Sequence, residues 1–318
     1  MKAAFKTSVI IPSYNSYKTI PTTIEKLISQ EDFNRVSEII VVDSSDDDFT
    51  KLFLNSIENK KVRVITSGIK VMPSIQRNIG ARHAQGDLLI FIDSDAFPGE
   101  KWLKKIMSAY AEGWRAGGGS YLVPEFQKNN KVALAQYYFE FGEFLPFGKP
   151  RLKKLFPACN FFCDKDFFLT IEGFPDIRAS EDGLFCLTAG KQVNLIYMPD
   201  ASVYHIFREN IQDFLDNQFL IGKYIYIFHK NYHNRFTLRP PVFYLLLPFM
   251  LIYKLLIRYT QVLRAGSSHY GPFIKSIKYF NMATVAWFKG FINGSKTPVN
   301  ATVINRREII KSYAVNEL

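Results

Sequence analysis

The first hundred residues alternate short apolar runs with longer stretches in which apolar positions recur at helical spacing. Ser8-Val9-Ile10-Ile11 stops at Pro12, and Glu38-Ile39-Ile40-Val41-Val42 stops at Asp43. Val62-Arg63-Val64-Ile65 ends near Gly68, and Leu88-Leu89-Ile90-Phe91-Ile92 ends at Asp93. Runs this short, rich in β-branched residues and bounded by turn formers, predict buried strands. Between the first two, Ile20, Ile24, Leu27 and Ile28 repeat with the period of an amphipathic helix. Ser74 to Ala84 and Lys101 to Ala111 predict two more helices. Strand and helix in alternation imply an α/β layered sheet, largely parallel at its start. Beyond residue 113 the pattern is less regular. Gly117-Gly118-Gly119 opens a strand that continues through Tyr121-Leu122-Val123, a Phe- and Tyr-rich stretch occupies 136–147, and Val193 to Met198 predicts a late strand.

Polar residues stand just past the C-terminal end of three predicted strands: Ser13-Tyr14-Asn15, Asp43-Ser44-Ser45 and Asp93-Ser94-Asp95. Open α/β sheets bind ligands at that edge, so the three clusters are expected to converge on one site. Asp93 and Asp95 are two residues apart, and in an extended segment such side chains point the same way. Two hard oxygen ligands on one side suit Mg2+ or Mn2+. A solvated turn is the plain alternative for an Asp-x-Asp, weakened here by its position after a buried strand. Asp43 sits where a carboxylate accepts hydrogen bonds from a base or ribose. The run Asp46-Asp47-Asp48 reads as a solvated loop, with Asp46 able to face the pocket. Arg77 is either a surface helix residue or a diphosphate partner, since a guanidinium grips phosphate oxygens as a fork.

Glu181-Asp182 follows Ser180 and precedes a helix-like segment. An acidic pair in a first turn suits the helix dipole, and a carboxylate there also serves as a general base. His205 lies just after the apolar Val193–Met198 run. It is either structural or a neutral imidazole completing a metal site. Cys159, Cys163 and Cys186 lack zinc-site spacing and read as core thiols. No Walker-type loop, G-x-S-x-G elbow or HExxH occurs.

Charge divides the chain. Of 318 residues, 47% are hydrophobic, enough for a packed core of one large domain and an appendage. The net charge of +11 is uneven: residues 1–218 carry −1 and residues 219–318 carry +12. A sheet domain over 1–218 and a C-terminal basic, apolar helical appendage over 219–318 are therefore expected. The asymmetry points to an anionic partner. Residues 242–253 are apolar throughout, short of the ~20 needed to span hydrocarbon. Phe273 to Ile292 mixes aromatics with Lys275, Lys278 and Lys289. Both segments read as helices lying in a membrane interface, with a short or re-entrant insertion open for the first. Contiguous aliphatic content fits lipid better than nucleic acid, and no nucleic-acid partner is expected. Three cysteines in a long chain suggest a reducing compartment, and the N-terminus does not read as a secretory signal. The cytoplasmic face of a membrane, with peripheral or monotopic attachment, is the expected location.

Five segments, in order, resemble family-2 glycosyltransferases of the GT-A fold. They are SVIIPSYN at 8–15, EIIVVDSSDD at 38–47, RNIGARHAQGDLLIFIDSDAFP at 77–98, CNFFCDKDFFLTIEGF at 159–174 and SEDGLF at 180–185. The resemblance implies a mixed, mostly parallel sheet between helices, a nucleotide-diphospho-sugar donor, Mg2+ or Mn2+, and a glycan or lipid-linked acceptor of the cell envelope. It implies that Pro12, Ser13, Tyr14 and Asn15 line the nucleotide, Asp43 meets the base, and Arg77 lies near the ribose or diphosphate. Asp93 and Ser94 fall on the donor side, with Asp95, Asp93 and the late His205 about the metal. Asp182 matches the usual catalytic base, with Glu181 beside it. Asn160 and Gly173-Phe174 match the acceptor-side stretch. Asp164-Lys165 departs from the family, where a basic pair is common. The implied reaction is a single displacement that inverts the anomeric carbon. A nucleotidyltransferase of similar fold would need a Gly-rich basic loop that residues 8–18 lack. A non-catalytic scaffold on a degenerate transferase fold is disfavoured by the intact acidic pairs.

Overall fold

The computed structural model describes residues 5–177, 179–233 and 240–297. In chain order the principal elements are β1 (Thr7–Ser13), α1 (Ile20–Ile28), β2 (Val36–Asp43), α2 (Asp48–Asn55), β3 (Val62–Thr66) and α3 (Pro73–His83). Next come β4 (Leu88–Ile92), β5 (Ala96–Pro98), α4 (Trp102–Ala111), β6 (Ala116–Leu122) and α5 (Lys131–Phe141). There follow β7 (Arg151–Leu152), β8 (Asn160–Asp164), α6 (Lys165–Thr170), α7 (Glu181–Ala189) and β9 (Ile196–His205). Three long helices complete the described chain: α8 (Ile211–His233), α9 (Pro240–Ala265) and α10 (Tyr270–Ser295).

The chain forms two compact units. The described residues of the first are 5–120, 148–177 and 179–204, and those of the second are 121–147, 205–233 and 240–297.

The first unit is built on a mixed sheet of order β3-β2-β1-β4-β8-β6-β9-β5, with β7 paired to β9. β3, β2, β1 and β4 run parallel, as the alternation of strand and helix predicts. β8 is antiparallel to β4 and to β6. All four predicted early strands form, and Val9–Ile11, Ile39–Val42 and Leu88–Ile92 are fully enclosed. Fully burying one such aliphatic side chain stabilises by about 1.5–3 kcal/mol, so these runs hold the centre of the sheet. In β6 the three glycines serve close approach: a Cβ on Gly119 would overlap the carbonyl oxygen of Ala201 in β9.

The predicted late strand forms, but later than the apolar run suggests: β9 begins at Ile196 and continues to His205. The Phe- and Tyr-rich stretch overlaps α5, nearly all of whose residues are buried.

The second unit is helical. α8 and α10 pack so closely that a Cβ on Gly290 would overlap the carbonyl oxygen of Phe219. Glu140 of α5 accepts hydrogen bonds from Gln136, from Asn217 at 3.1 Å and from Gln218 at 2.5 Å on α8. Glu140 is half-buried, and these amide donors replace part of the water its carboxylate gives up.

Candidate active site

The register of the parallel strands brings the first two polar clusters side by side. Ser13 pairs with Asp43 at the ends of β1 and β2. The Asp43 carboxylate is buried and accepts hydrogen bonds from Ser13 Oγ at 2.8 Å and Ser45 Oγ at 2.6 Å. Asn15 adopts a left-handed φ of 50°, which Asn tolerates better than most residues. Its side chain donates to Asp46 at 2.6 Å and accepts from the backbone N–H groups of Asp46 and Asp47. Tyr14 Oη donates to the other Asp46 oxygen at 3.0 Å, and Lys70 Nζ lies 3.9 Å above the Tyr14 ring. These hydrogen bonds, first that of Asn15, hold the Asp46 carboxyl below its ordinary pKa. Asp46 is thus the member of its acidic run that joins the β1 loop.

Sequence reasoning missed Gln76, one residue before Arg77. It is buried, and its amide nitrogen lies 2.6 Å from Ser13 O, 2.9 Å from Val42 O and 3.1 Å from Ser44 Oγ. One amide therefore binds both strand ends to α3. A glutamine in a helix with no flanking signal looks like a solvent-facing residue, so nothing in the sequence marks it.

Arg77 also lies on α3 and is 4% exposed. Its guanidinium reaches Asp93 at 2.5 Å, just past the end of β4, and Glu181 at 3.5 Å in the first turn of α7. Burial alone would lower its pKa, but the carboxylates of Asp93 and Glu181 outweigh that and hold it protonated. Its Nε is buried without a hydrogen-bond partner. Thus Arg77, Asp93 and Glu181, distant in sequence, meet in one cluster.

The two acids opening α7 are both raised. Burial, then the neighbouring Asp182, pushes the Glu181 carboxyl up to about 7, against the pull of Arg77. Burial likewise raises Asp182, opposed first by the N–H of Gly183, which donates to Oδ1 at 2.7 Å. Ser180, immediately before them, has φ of 69°. A non-glycine residue held left-handed costs roughly 1–2 kcal/mol, a strain the surroundings must sustain. The anchor is aromatic. Phe185 of α7 packs on Phe174 at 4.8 Å and Phe168 at 5.1 Å, and both of those rings pack on Phe91 of β4.

Of the remaining expected positions, Pro12 is buried inside β1, Ser94 offers its carbonyl to Thr23 Oγ1 at 3.0 Å, and Asp95 lies half-buried in the turn between β4 and β5. His205 ends β9, and its ring lies against Phe141 and Phe207. Asn160 is fully enclosed. It accepts from Trp102 Nε1 at 2.8 Å and donates to Ser120 O and Ala201 O, both at 2.9 Å, so its amide is engaged in the sheet. Asp164-Lys165 has a structural explanation. Asp164 pairs with Leu88 at the start of β4, at the other end of the strand from Asp93. There it caps α6 through Phe167 N, while Lys165 bonds Ala84 O. The three cysteines are buried thiols.

The architecture is that of GT-A glycosyltransferases. A mannosyltransferase from Pyrobaculum calidifontis, solved with GDP-Man and Mn2+, superposes with a TM-score of 0.61 over 92% of this chain and 88% of its own, at 15% identity. GalNAc-T7, solved with UDP, GalNAc and Mn2+, superposes with a TM-score of 0.52 over 64% of this chain and 44% of its own, at 17% identity. At the level of sequence, residues 8–174, just over half the chain, match the model of Glycosyl transferase family 2, and the chain belongs to that family.

Among curated relatives, the poly(ribitol-phosphate) beta-N-acetylglucosaminyltransferase TarS of Staphylococcus aureus is 31% identical over 102 residues, 31% of this chain and 18% of that protein. The glycosyltransferase AglE of Haloferax volcanii is 26% identical over 174 residues, 53% of this chain and 56% of that protein. The chain thus spans less than a fifth of the staphylococcal relative and little more than half of the archaeal one.

Proposed function

We propose that this chain transfers a sugar from a nucleotide-diphospho-sugar to a hydroxyl acceptor, with inversion at the anomeric carbon. The observation that carries the reading is the cluster in which buried Arg77 bridges Asp93, on the donor side, and Glu181, beside Asp182. In an α/β sheet this is the ligand edge, and the family fold supports the donor class.

Asp182 is the proposed base. Its carboxylate takes the proton from the acceptor hydroxyl, and that oxygen attacks the anomeric carbon as the bond to the diphosphate breaks. A raised pKa suits that task, because it brings the base nearer to neutrality. Glu181 keeps Arg77 oriented and shares charge with Asp182. Arg77, with its free Nε, is placed to draw negative charge from the leaving diphosphate. Asp43, held by Ser13 and Ser45, is the proposed contact to the base, and Tyr14 and Asn15 the wall of the nucleotide cleft.

Asp93 and Asp95 flank the turn after β4 and offer hard carboxylate oxygens, the chemistry that fits Mg2+ or Mn2+. A cation held there would neutralise charge developing on the diphosphate. The Mn2+ in the two solved neighbours supports this reading. The acceptor is proposed to be a cell-envelope glycan or a lipid-linked precursor, supported by the polymer named for TarS.

The test is a screen of nucleotide sugars with Mg2+ or Mn2+, reading released nucleoside diphosphate. The expected result is metal-dependent turnover of one donor, lost in Asp182→Asn while donor binding survives. Full turnover in Asp182→Asn, or no binding of any nucleotide sugar, overturns the proposal.

A further inference from the structure

α9 carries an apolar stripe that no described residue of its own unit covers. Leu245, Phe249, Ile252, Leu256 and Leu263 are 53–70% exposed. Their spacing of four, three, four and seven residues lines them along one helix face. The stripe runs about 27 Å at 1.5 Å per residue. Tyr253, also exposed, widens it.

The opposite face of α9 belongs to the protein. Val262 is buried, Arg258 donates to Glu143 at 3.1 Å, and Lys254 Nζ lies 3.5 Å above the Trp287 ring. By length and composition α9 is, among the described helices, one that is able to cross a membrane. Crossing would expose the whole circumference to lipid and strip Lys254 and Arg258 of these contacts. The division into a docked polar face and a bare apolar face fits a helix lying flat.

α10 supplies the charge. Ile274, Ile277, Met282 and Val285 share its exposed face with Lys275, Lys278 and Lys289. From Phe219 to Arg307 the sequence contains no Asp or Glu. A two-fold contact with a second copy would set lysines against lysines, with no acid to compensate. We propose that the exposed faces of α9 and α10 dock in the plane of a bilayer rich in anionic lipid. The α9 stripe enters the acyl boundary, and the α10 lysines reach the headgroups.

The proposal stands apart from the transfer chemistry, and vesicle flotation of the full chain tests it. With phosphatidylcholine–phosphatidylglycerol vesicles the wild type is expected to float, and with phosphatidylcholine alone much less. Phe249→Glu with Ile252→Glu alters only exposed side chains and is expected to abolish flotation. Lys275→Gln, Lys278→Gln and Lys289→Gln together are expected to weaken it about a hundredfold, at about 1 kcal/mol per surface charge. Far-ultraviolet circular dichroism and thermal melting of both variants are expected to match the wild type, which shows that the helical unit still folds. A wild type that ignores both vesicles, or a glutamate variant that floats undiminished, overturns the proposal. So does a dimer in solution that the glutamate variant dissolves while flotation is unchanged.

Discussion

Glu181 and Asp182 face opposite demands. Their burial raises both pKa values, while Arg77 and the backbone favour the charged forms. A base acts deprotonated, so the sign is fixed: burial raises both acids, Glu181 to about 7, and turnover is expected to rise with pH as they lose their protons and to fall as pH drops and they regain them. Glu181→Gln removes a like charge beside Asp182. It is expected to move the acid limb of the kcat profile to lower pH while retaining part of the turnover. An unmoved limb would show that the two acids do not share their titration. Arg77→Lys keeps one positive charge but loses the fork that spans Asp93 and Glu181. We expect a fall in kcat/KM of roughly a hundredfold, the effect of one charge-assisted contact of about 3 kcal/mol. Steady-state kinetics at saturating metal measures it, and wild-type kcat/KM in Arg77→Lys would refute the bridging role.

At the scale of elements, α3 is the part that joins the two halves of the cleft. Gln76 ties it to β1 and β2, Arg77 to the ends of β4 and α7, and Asn78 to the turn at Phe174. Asn78 accepts from Phe174 N at 2.9 Å and donates to Phe174 O at 2.7 Å, reading one residue's backbone with both ends of its amide. Asn78→Ala is expected to lower kcat about tenfold, the effect of two neutral hydrogen bonds, with nucleotide affinity unchanged. Calorimetry beside kinetics separates these, and equal losses in both would mark a general structural role. The ends of β1, β2 and β4 are legible in the sequence because a buried parallel strand must stop where polar residues begin. Arg77 and the α7 acids are legible as chemistry but not as neighbours. Asn160 and Asp164 lie in a recognisable segment, yet only the register of β8 shows one engaged in the sheet and the other at its far end. Gln76 and Asn78 act through backbone atoms of distant residues, and a one-dimensional pattern carries no trace of that.

For the whole molecule, two compact units make a single unfolding free energy ill defined, and they also make the two proposed binding functions separable. A ligand that binds only folded protein stabilises the unit that holds it, by about 2.7 kcal/mol at a hundred times its Kd. Nucleoside diphosphate with Mn2+ should therefore raise the melting of the sheet unit by several degrees, and Mn2+ alone by less. Asp95→Ala should lose the part of that gain that depends on metal, because it removes one of only two carboxylates in the turn after β4. Phe249→Glu with Ile252→Glu should keep all of it, since both residues lie on the exposed α9 stripe and neither is among the proposed nucleotide or metal positions. Calorimetric scans of the three proteins with nucleotide, with metal and with both would resolve these contributions. If Asp95→Ala keeps the full metal-dependent gain, the cation is held elsewhere and the Asp93–Asp95 assignment fails, whether or not the chain transfers sugar.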